Sequence, residues 1–279
     1  MILRSDAIST IVVSSQHNAN ARALLSIAAR NGIPSVYVPH TAGSRLREYR
    51  DLPCNLALLR GEGDRSFYAA LGAPTGGLVV SGNPSVAPTA ATPIDPRLGP
   101  VLALSPDPPE DLGELIAVTA SAWPTGIIAP HPRVGRALLH RLAPPGWSIH
   151  EGRTFELLEH GPFAVIQHSS GVGWEALALG LPVIQLDFPG KPADYLYLDD
   201  PVVARVTGSA KLHAVLERAR DHDGNEEARL ERRLLAERWC ARTGADAAEH
   251  MARQILEPST ATCGTTLLDG WRTGVAVAE

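Results

Sequence analysis

The chain has 279 residues, 44% of them hydrophobic and 20% charged, values of a globular protein long enough for two modest α/β domains or one large one. A net charge of −5 without a Lys/Arg cluster argues against a dedicated nucleic-acid binder, and three scattered cysteines (Cys54, Cys240, Cys263) form neither a disulfide framework nor a CxxC metal site. No apolar run reaches membrane-span length and Met1 to Ser9 lacks a basic stretch followed by an apolar one, so a cytoplasmic protein is expected, with a membrane-surface acceptor left open.

Ile8 to Val13 reads as a buried strand, and Ala19 to Arg30 carries a helical pattern with Leu24, Leu25, Ile27 and Ala28 on one side. Asn31-Gly32 stops that helix, with Pro34 just beyond. Ser35 to Val38 is a second strand, ending in the polar cluster His40, Thr41, Gly43 and Ser44. The handedness rule lays the two strands of this βαβ unit parallel in one sheet. Leu56 to Leu59 is a third strand, Gly61 to Gly72 a glycine-closed helix, and Leu78 to Val80 a strand ending at Ser81-Gly82-Asn83-Pro84. From Pro84 to Pro100 the chain is rich in Pro, Ala and Thr without any period, the composition of a linker.

A second α/β run follows. Strands are expected at Val101–Ser105, Gly126–Ala129, Trp147–His150 and Val202–Val206. Helices are expected from near Asp111 to Ser121, at Val134–Leu142, Thr154–Glu159 and Lys211–Ala219, and over Glu226–Leu256 with a break around Thr243-Gly244. Residues 258–279 have no period and read as a loosely held tail. Polar clusters recur at strand C-terminal ends, the arrangement of doubly wound parallel sheets. The predicted division is a shortened Rossmann-like domain over 1–88, a linker over 89–100, and a fuller Rossmann-like domain over 101–257.

Phe163 to Asp187 is the richest stretch. Phe163 to Ile166 reads as a strand, Trp174 to Leu179 as a short helix stopped by Gly180, and Val183 to Leu186 as the next strand. Between the first strand and the helix lie His168, Ser169, Ser170, Gly171 and Gly173. Strand ends in such sheets open onto a ligand crevice, and hydroxyls with glycine backbone amides suit a phosphate. Glu175 would repel a phosphate placed against it and fits better as an acceptor for sugar hydroxyls. The bland alternative is a Ser cap, a glycine turn and a Glu that complements the helix dipole.

The second half resembles the nucleotide-binding domain of GT-B glycosyltransferases. It is most similar to the branch of capsule and polysialic-acid transferases, CDP-glycerol glycerophosphotransferases and UDP-N-acetylglucosamine 2-epimerases. His131-Pro132 after a strand looks like that branch's HP motif, and Ser169-Ser170 with Gly171, Gly173, Glu175, Ala176, Gly180 and Pro182 looks like its serine-pair segment. In the first half, Ala21 to His40 is similar to the branch's helix–strand unit, and Ser81 to Pro84 to its turn before the second domain.

The resemblance implies a GT-B-like α/β fold and a donor such as a UDP-, CDP- or CMP-linked sugar, passed to a hydroxyl acceptor without a resident cofactor. It places Ser169, Ser170, Gly171, Gly173 and Glu175 on the donor, with His131 on its phosphate and Arg133 assisting or simply exposed. His40, with His17 competing, is implied as acceptor-side base or binder. His168 reads as a structural neighbour, and Asp187 and Lys191 as a solvated loop. The first half lacks the further strands and glycine-rich first turn of the family's first domain. An acceptor side completed by another chain, in a homodimer or with a partner subunit, or a silent nucleotide-binding subunit therefore stays open. The epimerase branch carries acidic residues where this chain has His17, Asn18 and His40, which weighs against epimerase chemistry. Neither HExxH, a P-loop, a metal-ligand cluster nor G-x-S-x-G occurs, so a hydrolase elbow is not expected.

Overall fold

The computed structural model describes residues 8–46, 49–86, 91–188, 191, 193–221 and 225–256. The chain divides into two compact units, Met1–Pro88 with Glu237–Glu279, and Thr89–Ala236. Cys263, Trp271 and the tail expected over 258–279 lie outside the described residues.

The first unit holds strands β1 (Ile11–Val13), β2 (Ser35–Tyr37), β3 (Leu56–Leu59) and β4 (Leu78–Val80), all parallel and ordered β1-β2-β3-β4. Helix α1 (Ala19–Arg30) starts where the Asn18 side chain accepts the Ala21 N–H, and α2 (Glu62–Ala70) follows β3. Strand alternation sends Ile11, Val13, Tyr37, Ala57, Leu59 and Leu78 to one face, where they pack with Leu25 and Ala28 of α1 and Tyr68 of α2.

The second unit holds β5 (Val101–Ala103), β6 (Gly126–Ala129), β7 (Trp147–Ile149), β8 (Val165–Gln167), β9 (Val183–Leu186) and β10 (Ala204–Val206). Between them run α3 (Pro109–Ala122), α4 (Arg136–Leu142), α5 (Thr154–Leu158) and α6 (Val172–Ala178). Then come α7 (Ser209–Asp221) and α8 (Glu226–Trp239). The last helix among the described residues, α9 (Gly244–Leu256), belongs to the first unit, where Met251 and Ile255 cover Val36, Leu56 and Leu58 on the face opposite α1 and α2.

The second sheet is fully parallel in the order β10-β9-β8-β5-β6-β7. Strand order runs outward from β5 to β7, then jumps back across β5 to β8 and outward again. That reversal is the topological switch point of a doubly wound sheet, where the loops after β5 and β8 part and leave a crevice. One face packs Leu102, Ile128, Ile166 and Ile184 against Leu112, Leu115 and Ile116 of α3, Leu139 of α4, and Leu212 and Leu216 of α7.

Two boundaries differ from the sequence reading for local reasons. Helix α6 begins at Val172, two residues before Trp174, with Gly171 as its N-cap in a helical conformation and the Ser170 Oγ accepting the Val172 N–H at 3.3 Å. The helix expected over 226–256 is broken from Cys240 to Thr243, where the backbone turns to the ends of β3 and β4. Ala241 N–H donates to the Arg60 carbonyl at 2.9 Å, and Asn83 N–H to the Arg242 carbonyl at 2.9 Å. Gly61 is required there, since a Cβ would sit 2.5 Å from the Trp239 carbonyl carbon.

Candidate functional site at the switch point of the second sheet

Strand register places the loops. Ala103 of β5 pairs with Gln167 of β8 on one side and Ala129 of β6 on the other. Ser169 and Ser170 leave β8, Asp107 leaves β5, and His131 leaves β6, so all three loops rise from adjacent strand ends. Two spacings of ~4.8 Å separate β8 from β6, about 10 Å, the reach of a diphosphate with part of its sugar. The half-buried Asp107 carboxyl is pushed up by burial and pulled back by His168, Lys191 and His131.

His131 is half-buried, and its Nδ1 accepts the Arg133 N–H at 3.1 Å. That bond leaves the ring proton on Nε2, a donor turned away from its own turn. Burial and the Arg133 charge push the His131 pKa down, against a smaller pull from Asp107. The neutral tautomer is therefore the resting form at neutral pH. Arg133 is exposed, so its backbone fixes the histidine while its guanidinium stays at the rim.

His168 is oriented as well. Its Nδ1 lies 3.0 Å from the Leu186 carbonyl, which takes its proton, and its ring meets Phe188 edge-on at 5.2 Å. The sequence reading takes His168 as a structural neighbour, and its bond to the Leu186 carbonyl fits that part; it does not single out Asp107, whose place follows from the strand order that sets β5 between β6 and β8.

The two serines are not equivalent. Ser170 is 5% exposed and caps Val172, while its carbonyl accepts the Tyr197 hydroxyl at 3.3 Å. Ser169 is half-buried and is the more accessible residue of the pair. Beneath the turn lies a buried polar layer. Gln167 and Gln185 are paired across β8 and β9, and Gln167 Nε2 donates to the Tyr197 hydroxyl at 3.2 Å. Gly173 is buried against this layer, and a Cβ there would overlap the Gln167 Oε1 and lie 2.8 Å from the Tyr197 hydroxyl. Its missing side chain thus serves the packing below the turn, whereas Gly171 is exposed at the surface of the turn. Glu175 sits half-buried in the first turn of α6.

Asp187 is held by Arg205 through two bonds of 2.9 and 3.0 Å, and Arg205 also reaches Asp199 at 2.8 Å. Lys191 is ion-paired with Asp111 of α3. Both loop residues are therefore occupied by partners within the protein.

In the first unit, His17 and His40 follow the paired strands β1 and β2. His40 is exposed and donates from Nδ1 to the Ser14 carbonyl at 2.8 Å. His17 lies 3.1 Å from the Ser15 hydroxyl, with its ring 4.4 Å from that of Tyr49. The end of β3 is instead closed by buried Asp64, which accepts the N–H groups of Gly43 at 3.0 Å and Arg60 at 3.3 Å. Burial pushes the Asp64 carboxyl up to about 6, against the pull of Arg60.

Among the described residues no group of three or more His, Cys, Asp or Glu side chains is arranged to hold a metal ion. No described helix is long and apolar enough to cross a membrane.

No protein-family model and no curated protein matches the sequence. Solved structures do match. The calicheamicin glycosyltransferase is similar at a TM-score of 0.62 and 16% identity, over 93% of this chain and 76% of that one. The UDP-GlcNAc 2-epimerase from Neisseria meningitidis, bound to UDP-GlcNAc, is similar at 0.59 and 14%, over 89% and 76%. A UDP-N-acetylglucosamine 2-epimerase assigned in Listeria monocytogenes is similar at 0.59 and 11%, over 92% and 76%. At these identities the likeness is one of fold, and the fold of this chain is GT-B-like: two parallel-sheet α/β units with, among the described residues, four strands in the first and six in the second.

Proposed function

We propose that the chain is a glycosyltransferase-type enzyme that binds a nucleotide-activated sugar at the β5/β8 switch point and transfers the sugar to a hydroxyl acceptor. The observation that carries this reading is the convergence of the Ser169 turn, the fixed His131 Nε2–H and Asp107 on neighbouring strand ends. A diphosphate spanning β8 to β6 would take the Ser169 hydroxyl at one end and the His131 donor at the other. As the sugar leaves, negative charge builds on the phosphate oxygen, and a preset neutral donor meets it without reorganisation. Glu175, on the first turn beside the serines, is assigned to the sugar hydroxyls. His40 and His17 of the first unit are assigned to the acceptor, and the Ser14 carbonyl leaves the His40 Nε2 as an acceptor for a hydroxyl proton. The names of similar structures, which include UDP and UDP-sugar complexes, favour a uridine nucleotide.

Thermal-shift and calorimetric titration with UDP, CDP and CMP tests the binding half. Stabilisation by one of them that is lost in Ser169→Leu supports the site; no response to any of the three ends the proposal. A donor-hydrolysis assay tests the catalytic half. Selective binding without donor turnover leaves a silent nucleotide-binding subunit, and release of N-acetylmannosamine from UDP-GlcNAc would mark an epimerase.

A further inference from the structure

At the far end of the second sheet from the crevice lies a cavity of about 300 Å³. Strand β9 enters the sheet there at Val183 and reaches the crevice end at Asp187, four steps of ~3.3 Å or about 13 Å away. Val183, Ile184 and Val215 give the cavity apolar walls, Arg229 and Arg232 of α8 line another side, and Arg218 of α7, which has a partner of its own, also borders it. The size falls at the low end of ligand pockets, which run from ~300 to ~1,000 Å³.

The arginines are unevenly matched. Arg229 donates through Nη2 to the Thr92 carbonyl at 2.9 Å and through Nη1 to Glu226 at 3.0 Å, but its Nε is buried without an acceptor. Glu226 is 83% exposed, so water weakens what it offsets. Arg232 donates to the Gly180 carbonyl at 3.0 Å and has no carboxylate in ion-pair contact among the described residues. Burial and the neighbouring Arg229 charge lower its pKa, with Glu231 pulling the other way. Two guanidiniums one helical turn apart, one of them without a counter-ion, therefore border a space with apolar walls. A sequestered cation lacking a counter-charge is unfavourable until an anion reaches it. An inorganic anion would leave the apolar walls uncovered, and a neutral apolar molecule would leave the cations unanswered.

We propose that this cavity is a binding site for a small amphiphilic anion, a phosphate or carboxylate head on an apolar body. Arg232 takes the head beside the Arg229 guanidinium, and Val183, Ile184 and Val215 cover the body. Planar guanidiniums match both head groups through paired donors. The site stands apart from the nucleotide crevice and does not depend on it.

The test uses the full chain and four probes: phenyl phosphate, benzoate, benzyl alcohol for the body alone, and inorganic phosphate for the head alone. Phenyl phosphate or benzoate is expected to raise Tm by roughly 3–6 °C at ten times its Kd, while either half alone gives a clearly smaller shift. Arg232→Gln should weaken the charged probe at least tenfold. Ala228→Leu, which fills the cavity without touching charge, should abolish the response and keeps the test decisive if the arginine variant fails to fold. His131→Ala should keep the response intact. The proposal is overturned if neither charged probe shifts Tm, if benzyl alcohol or inorganic phosphate alone does as well, if Ala228→Leu responds like the wild type, or if His131→Ala removes the response and so places the probe in the crevice.

Discussion

The two sheets are both parallel and both carry polar residues at their strand ends, yet they use them differently. In the six-stranded sheet the order reverses at β5, and His131, Asp107 and Ser169, on the loops after β6, β5 and β8, are half-buried. In the four-stranded sheet the order runs β1-β2-β3-β4 without reversal. There the loops lean on one another: Asp64 is buried under Gly43 and Arg60, and buried Gln16 donates to the Tyr49 carbonyl and the Tyr68 hydroxyl at 3.3 Å each. The first sheet thus encloses the polar residues after β3, while His17 and His40 after β1 and β2 stay half-buried and exposed.

The largest expected effect contrasts histidines from the two sheets. His131→Ala should lower kcat/KM for the donor by roughly 10²–10³, or about 3–4 kcal/mol, the usual loss when one preset donor to a developing charge is removed. Nucleotide affinity should fall in parallel. His40→Ala should leave nucleotide affinity unchanged and lower only kcat. Isothermal titration beside steady-state kinetics reads both, and equal loss of nucleotide affinity in the two variants would erase the distinction drawn between the sheets.

Next in size is the pH response of the enclosed carboxylate. The folded pKa of Asp64 is raised from 3.8 to about 6, so between those values the folded state holds a proton that the unfolded chain has released. Stability from this group is full below about pH 4 and falls as pH rises to about 6, by up to about 3 kcal/mol. Denaturant midpoints at pH 4 and pH 6.5 should show that loss in the wild type and not in Asp64→Asn. A parallel fall in both proteins would show that the carboxyl ionises without cost. Nucleotide should leave this profile unchanged, because the carboxyl is sealed inside the first unit.

Much of the fold was legible in the sequence. Runs such as Leu56–Leu59 and Val183–Leu186 are apolar throughout because both faces of a parallel sheet are covered, and helix stops such as Asn31-Gly32 are chemical signals. The serine turn and His131 were legible for the same reason: both follow an apolar run and interrupt it with small polar residues. Asp107 was not, since its meaning depends on β5 being the strand where the order reverses, a long-range fact. The division of labour between Ser169 and Ser170 was also hidden, because it is set by Tyr197, 27 residues beyond Ser170 in sequence. Nor does Gly61 announce that the backbone of Trp239 and Cys240 will pass against it.

Gly173 sharpens the contrast within the crevice itself. Gly173→Ala pushes a methyl into the Gln167 carboxamide, a buried group with little room to yield, and should cost about 1–3 kcal/mol of stability. Gly171→Ala, at an exposed position, should cost far less. Comparable losses in thermal denaturation would mean that the layer beneath the turn is softer than its burial indicates.

The smallest effect is the most diagnostic of how the turn is held. Tyr197 receives a bond from Gln167 and passes one to the Ser170 carbonyl, so its hydroxyl links the buried layer to the serine turn without reaching the ligand. Tyr197→Phe keeps the ring and its packing and removes that link, leaving the Ser170 carbonyl without this donor. The stability cost should be about 1 kcal/mol. If the hydroxyl sets the turn, nucleotide affinity falls several-fold in this variant while Arg205→Gln, which frees Asp187 at the neighbouring strand end, leaves affinity unchanged despite a similar loss of Tm. A Tyr197→Phe protein that is less stable yet binds nucleotide as the wild type does would show that the turn holds its shape through the Ser170 cap alone.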